Sequence, residues 1–269
     1  LKVGKSRLPT DGIMPLSQTL DTPGPITQTV LDSLIMFDVL SGLGGEDITR
    51  NLDKNKGTYG LLGEGVSGLH IGSLSDRERQ YCSDEVLDSY DMTLGFLSSL
   101  GANIVKFENP NPYNSLADDN GLITAVEAFY NHGHLYKNLD LPMDEDVRAR
   151  MLAGENFFGY DYFSALQRRM EIADSFKTAM IGLDALVTPT TTTVAPQLAE
   201  IDQAISPGHF TRPFNFLEMC GLSIPINLDS NGLPTSLQIV GAAYDEAICL
   251  QIGATLEDTL PSIGNPVLD

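Results

Sequence analysis

The feature that most constrains this fold is a strand, an amphipathic helix and a second strand laid end to end between residues 69 and 107. Leu69-His70-Ile71-Gly72 reads as a short buried strand. Ser83 is placed to cap the helix that follows, and Asp84 and Glu85 occupy its first turn, where the helix dipole favours negative charge. Val86, Tyr90, Leu94 and Leu97 form the apolar stripe, and Gly101 can end the helix. Ala102-Asn103-Ile104-Val105-Lys106-Phe107 follows as a strand. Strand, helix and strand in that order imply a right-handed crossover and a parallel pair.

The same alternation continues along the chain. Helical spacing predicts helices over 29–40, 122–130, 162–180 and 246–256, the third with a stripe of Phe163, Leu166, Met170, Ala173, Phe176 and Met180. Asp144-Glu145-Asp146 opens another short helix. Gly42 to Gly68, and the stretch 131–143, read as loops. Leu183-Asp184-Ala185-Leu186-Val187 is a buried strand. Residues 222–224 and 235–241 are strands around a turn at Asn231-Gly232-Leu233-Pro234. The expectation is a single α/β domain over 1–269, with a mixed, mainly parallel twisted sheet flanked by helices.

Charge and composition exclude several functions. The chain carries 36 acidic against 16 basic residues, a net charge of −20, so its surface repels phosphate backbones and anionic lipid. Neither nucleic acid nor membrane is an expected partner. No apolar stretch approaches the roughly 20 residues that span a bilayer. Three scattered cysteines, Cys82, Cys220 and Cys249, suit reduced thiols in a cytoplasmic protein better than a disulfide framework or a zinc knuckle.

No self-contained catalytic centre emerges from the motifs. Ser67 in Gly65-Val66-Ser67-Gly68 suggests a nucleophile elbow, but Leu69 stands where the elbow requires Gly, which leaves a turn serine. His132 and His134 lack a carboxylate or cysteine at ligand spacing and read as ordinary histidines near a helix end. No Gly-rich phosphate loop is present. No metal and no organic cofactor are expected.

Four blocks, in order, resemble the amidase signature hydrolases. The first is Leu1-Lys2, Arg7, Pro9, Gly12 and Pro15-Leu16-Ser17-Gln18-Thr19-Leu20-Asp21-Thr22-Pro23-Gly24-Pro25. The second joins Leu69-His70-Ile71-Gly72 to Leu100-Gly101-Ala102, and the third is Asp184-Ala185-Leu186-Val187-Thr188-Pro189-Thr190. The fourth runs from Phe210-Thr211-Arg212-Pro213-Phe214-Asn215 through Pro225, Gly232-Leu233-Pro234 and Leu237-Gln238-Ile239-Val240-Gly241 to Asp245-Glu246. It departs from the family's Gly-x-Pro-Ala and Pro-x-Gly pattern, with Glu218-Met219-Cys220-Gly221 and Pro225-Ile226-Asn227 instead. Losing Gly and Pro there is expected to change the loop backbone.

The resemblance implies an intact enzyme that hydrolyses a small-molecule linear amide. Its serine nucleophile would be activated through a second serine by a neutral lysine, with an oxyanion hole of backbone N–H groups. The first block follows that catalytic segment in the family, so the missing N-terminal amidase segment is expected upstream of Leu1. No catalytic residue is then expected here; this chain would supply the pocket wall. Arg150 matches a position where some relatives hold a substrate carboxylate, a task suited to a planar guanidinium; a surface ion pair is the alternative. Thr211 and Asn215 could orient an amide and Phe210 could wall the pocket, although loop-tethering hydrogen bonds explain the polar pair equally well. Gly208 falls where the family's glutamine-using tRNA amidotransferase subunits carry an Asp, which argues against glutamine. The rival is a non-catalytic or amidotransferase-A-like subunit serving binding or assembly, and a homodimer is left open.

Overall fold

A computed structural model of the chain describes residues 1–42, 58–202, 206–261 and 263–264. Among the described residues, five strands form one sheet: β1 (His70–Leu74), β2 (Asn103–Phe107), β3 (Ala185–Pro189), β4 (Cys220–Leu228) and β5 (Pro234–Gly241), in the order β2-β1-β3-β5-β4. β1 pairs parallel with β2 and β3, while β5 runs antiparallel to both β3 and β4. The sheet is therefore mixed, with parallel and antiparallel pairings in equal number. The antiparallel half arises because β4 and β5 are joined directly by the expected turn. There Asp229 accepts hydrogen bonds from the Asn231 and Leu233 amides at 2.9 and 2.7 Å, and Gly232 takes a φ of +78°.

The helices are α1 (Val30–Leu40), α2 (Thr58–Leu61), α3 (Asp76–Arg79), α4 (Asp84–Ser99), α5 (Ala117–Tyr136), α6 (Glu145–Leu152), α7 (Gly159–Ala179), α8 (Thr211–Phe216) and α9 (Glu246–Thr259). α4 lies against β2 to β5. α9 covers β4 and β5 and is backed by α1; α5 packs with α6 and α7. Tyr90 ties α4 to the sheet. Its buried hydroxyl accepts from the Leu74 amide and donates to the Val187 carbonyl, both at 2.9 Å, so β1 and β3 are joined through one phenol. Ser83 precedes α4 as expected but caps it without a side-chain hydrogen bond; its amide instead donates to the Thr192 carbonyl.

Several elements differ from the pattern in the sequence. α5 continues through His132 to Tyr136, where a loop was expected, because His132 and Gly133 are buried and the His132 ring meets the Pro15 carbonyl at 2.5 Å. The buried stripe of α7 is Ala165, Arg169, Ala173 and Phe176, while Phe163 and Met170 face solvent. Arg169 takes the inward position since its Nε donates to the Phe216 carbonyl at 2.7 Å and its guanidinium reaches Glu218 at 3.1 Å. α2 interrupts the loop expected between Gly42 and Gly68, of which residues 43–57 lie outside the described residues. Ser67 sits in a turn beside Gly101, as read from the sequence. Among the described residues, no helix is long and apolar enough to cross a membrane.

Candidate functional site

A cavity of about 680 Å³ opens between the first block and the fourth. One wall is the segment 16–26, and the other is formed by 206–215 with Gly221 and Ser223 of β4 and Gln238 of β5. Asn120 and Thr124 of α5 close a third side. Thr211 and Asn215 share one face of α8 at helical spacing, and Phe214 and Phe216 turn into the core.

The first-block wall is fixed by two carboxylates. Asp21 accepts from the amides of Leu16 and Ser17 at 2.8 and 3.0 Å. Glu127, buried on α5, accepts from the hydroxyls of Ser17, Thr19 and Tyr162 and from the Thr19 amide. Burial alone pushes Glu127 up, yet these donors outweigh it and hold the carboxyl below its ordinary value. Lys2 exchanges backbone hydrogen bonds with Gly221, and Gly24 passes so near Leu1 that a Cβ there would stand 2.1 Å from the Leu1 carbonyl oxygen. Only glycine fits that crossing. Lys2 also lines the cavity; burial pushes its ammonium down to about 8, and Nζ donates to the Met219 carbonyl at 2.5 Å.

The residues singled out from the sequence take different places. Asn215 lines the cavity, but its amide is engaged: Nδ2 donates to the Leu20 carbonyl at 2.9 Å, and Oδ1 accepts from the Thr22 hydroxyl at 3.2 Å. It tethers one wall to the other. The Thr211 hydroxyl lines the same cavity and makes no hydrogen bond among the described residues. Phe210 is fully buried and packs edge-on against His209 and Tyr113; it does not line the cavity. Arg150 is exposed on α6, donates to the Asp146 carbonyl and lines neither this cavity nor the smaller one beside it.

The structure adds residues that motif reading missed. Gln238 donates to the Thr188 hydroxyl and the Phe210 carbonyl, both at 3.0 Å, and so fixes the start of α8 against the sheet. A smaller cavity of about 180 Å³ adjoins the first and shares Asn120, Ser206, Gly208 and Arg212 with it. Behind it, Glu78 is sealed from solvent and meets His209 Nε2 at 3.2 Å, Asn109 at 3.2 Å and the Tyr113 amide at 3.1 Å. Its burial raises the carboxyl, but these hydrogen bonds leave it below its ordinary value. One signal was available for Glu127, which follows Ile123 at helical spacing on the inward face of α5. Glu218 holds a φ of +65°, a left-handed conformation that glycine adopts freely and a side chain with a Cβ does not.

Residues 1–250 match the sequence profile of the amidase family. The chain belongs to the amidase family. Among curated relatives of this amidase-family chain, the A subunit of the Rhodospirillum rubrum glutamyl-tRNA(Gln) amidotransferase is 30% identical over 273 residues, covering 91% of this chain and 54% of the relative. Its namesake from Lawsonia intracellularis is 28% identical over 297 residues, covering 100% of this chain and 61% of the relative. The chain thus spans little more than half the length of the curated relatives it matches. A crystal structure of an amidase superposes with a TM-score of 0.83 at 24% identity, covering 97% of this chain and 58% of that one. A 6-aminohexanoate cyclic dimer hydrolase with bound substrate gives 0.77 at 21% identity, covering 97% and 60%. At these identities the likeness is one of fold.

Proposed function

We propose that this chain forms the substrate-facing wall of an enzyme that hydrolyses the carbon–nitrogen bond of a small linear amide. The observation that carries this reading is the cavity itself: it lies where the first and fourth amidase-like blocks meet, and both line it. Thr211 offers a free hydroxyl to a substrate amide, and Asn215 holds the walls at a fixed separation. On this reading the activated nucleophile comes from outside residues 1–269; within the described residues no serine hydroxyl is hydrogen-bonded to a lysine or histidine. Three unpaired cysteines suit a reducing cytoplasm.

The second reading, an amidotransferase-A-like subunit, draws on the names of the curated relatives. Gly208 weighs against it, because no carboxylate stands at that point of the cavity to hold an amino acid's ammonium group. The test is ammonia release from simple aliphatic and aryl amides, together with serine-directed covalent labelling. The full-length protein is expected to turn over and label; residues 1–269 alone are expected to do neither. A full-length protein that leaves every amide intact, or a 1–269 fragment that labels and turns over, would sink the proposal.

A further inference from the structure

From the charges lining the two joined cavities we infer that Arg212 anchors a carboxylate carried by the amide substrate, whose class is the monoamide of a dicarboxylic acid. This rests on the amidase reading and deepens it. Among the described residues, the larger cavity is lined by three formally charged side chains, Lys2, Asp21 and Arg212. Lys2 is engaged with the Met219 carbonyl and Asp21 with the amides of Leu16 and Ser17. Arg212, which lines both cavities, makes no ion pair and no side-chain hydrogen bond among the described residues.

That freedom is unusual in a chain with 36 acidic and 16 basic residues. Arg7, Arg77, Arg79, Arg148, Arg168 and Arg169 are each ion-paired, and Arg150 is bonded to a carbonyl of its own helix. Arg212 is held in place by its backbone, whose amide donates to the Gly208 carbonyl at 3.0 Å. Arg212 thus brings to the cavity lining a permanently cationic side chain whose planar fork matches a carboxylate. The neighbouring hydroxyl of Ser206 and the amide of Asn120 can donate to the remaining carboxylate lone pairs. Among the described lining residues the one carboxylate, Asp21, is already occupied by the Leu16 and Ser17 amides, so an ammonium group finds no comparable partner there. The anchor thus selects a carboxylate, and an amide that carries an ammonium as well gains nothing.

Three probes separate these features: glutaramate carries the amide and the carboxylate, glutamine adds the ammonium, and pentanamide has neither charge. Calorimetric or NMR titration of the protein is expected to give glutaramate at least about tenfold tighter binding than pentanamide, as a charge-assisted hydrogen-bonded pair does. Glutamine is expected to bind more weakly than glutaramate. Arg212→Gln should erase the glutaramate advantage and Arg212→Lys should keep part of it, with melting temperatures matching the parent because the side chain is exposed. Equal affinities for the three probes, an unchanged glutaramate advantage in R212Q, or no glutaramate binding at all would overturn the assignment. Ammonia release without any glutaramate preference removes the anchor and leaves the amidase reading standing. An Arg212-dependent preference without ammonia release does the reverse.

Discussion

In β3, Ala185, Leu186 and Val187 are sealed among apolar neighbours, and their side chains carry no polar atom. In residues 16–22 the chain is fixed instead by donors converging on Asp21 and Glu127. Apolar burial is non-directional and insensitive to pH, so the sheet accepts any sequence of the right volume and pattern. A carboxylate that organises a loop is directional, and its contribution depends on its charge. The cavity wall is thus the conditional part of the molecule and the sheet the unconditional one.

That contrast can be broken from either side. The largest expected effect is in the sheet: Leu186→Ala should cost about 2–5 kcal/mol by leaving a cavity in a fully buried strand, at any pH where the protein folds. Denaturant unfolding at two pH values checks it. Glu127→Gln should cost about 1–3 kcal/mol at neutral pH, because Gln keeps one acceptor oxygen but sets an NH2 donor against donors the other carboxylate oxygen had received. Glu127 lies below its ordinary 4.5 in the folded state, so its contribution is present above that value and is lost as pH falls through the lowered one. The parent should therefore lose stability on acidification below about 4.5 more steeply than E127Q; parallel curves would show that the carboxylate does not hold the wall.

Smaller effects sharpen the picture at the cavity edge. Both Glu218→Ala and Glu218→Gly remove the pairing with Arg169, but only glycine adopts the φ of +65° freely. The glycine variant should be the more stable by about 1 kcal/mol, and equal unfolding midpoints would mean the turn relaxes. Arg150→Ala should change stability by less than about 0.5 kcal/mol and leave amide affinity untouched, since the side chain is exposed and its hydrogen bond goes to a carbonyl of its own helix.

The same division explains what was legible in the sequence. The strand–helix–strand core, the β4–β5 turn and the acidic opening of α6 follow from period and turn chemistry, which are local. The inward turn of Arg169 and the extension of α5 past residue 131 depend on partners at Phe216, Glu218 and Pro15, distant in sequence. At the cavity, the fourth block points to Thr211 and Asn215, and both line it. Phe210 turns into the core instead, because hydrophobicity does not tell which way a ring faces at a helix start. Arg212 carries no signal in the sequence, since a missing ion pair is a property of the folded surroundings.

Glu127 gathers donors from Ser17 and Thr19, 110 and 108 positions away, and from Tyr162 on α7. The first-block loop therefore holds this shape only while α5 and α7 are docked together, despite its early place in the chain. It also binds local opening to larger events: the Thr19 amide is released to solvent only when the helix pair parts or the carboxylate lets go. Its hydrogen exchange should track the slow amides of α5 instead of the fast ones of exposed turns. A surface segment at the mouth of a cavity then has the persistence of the interior.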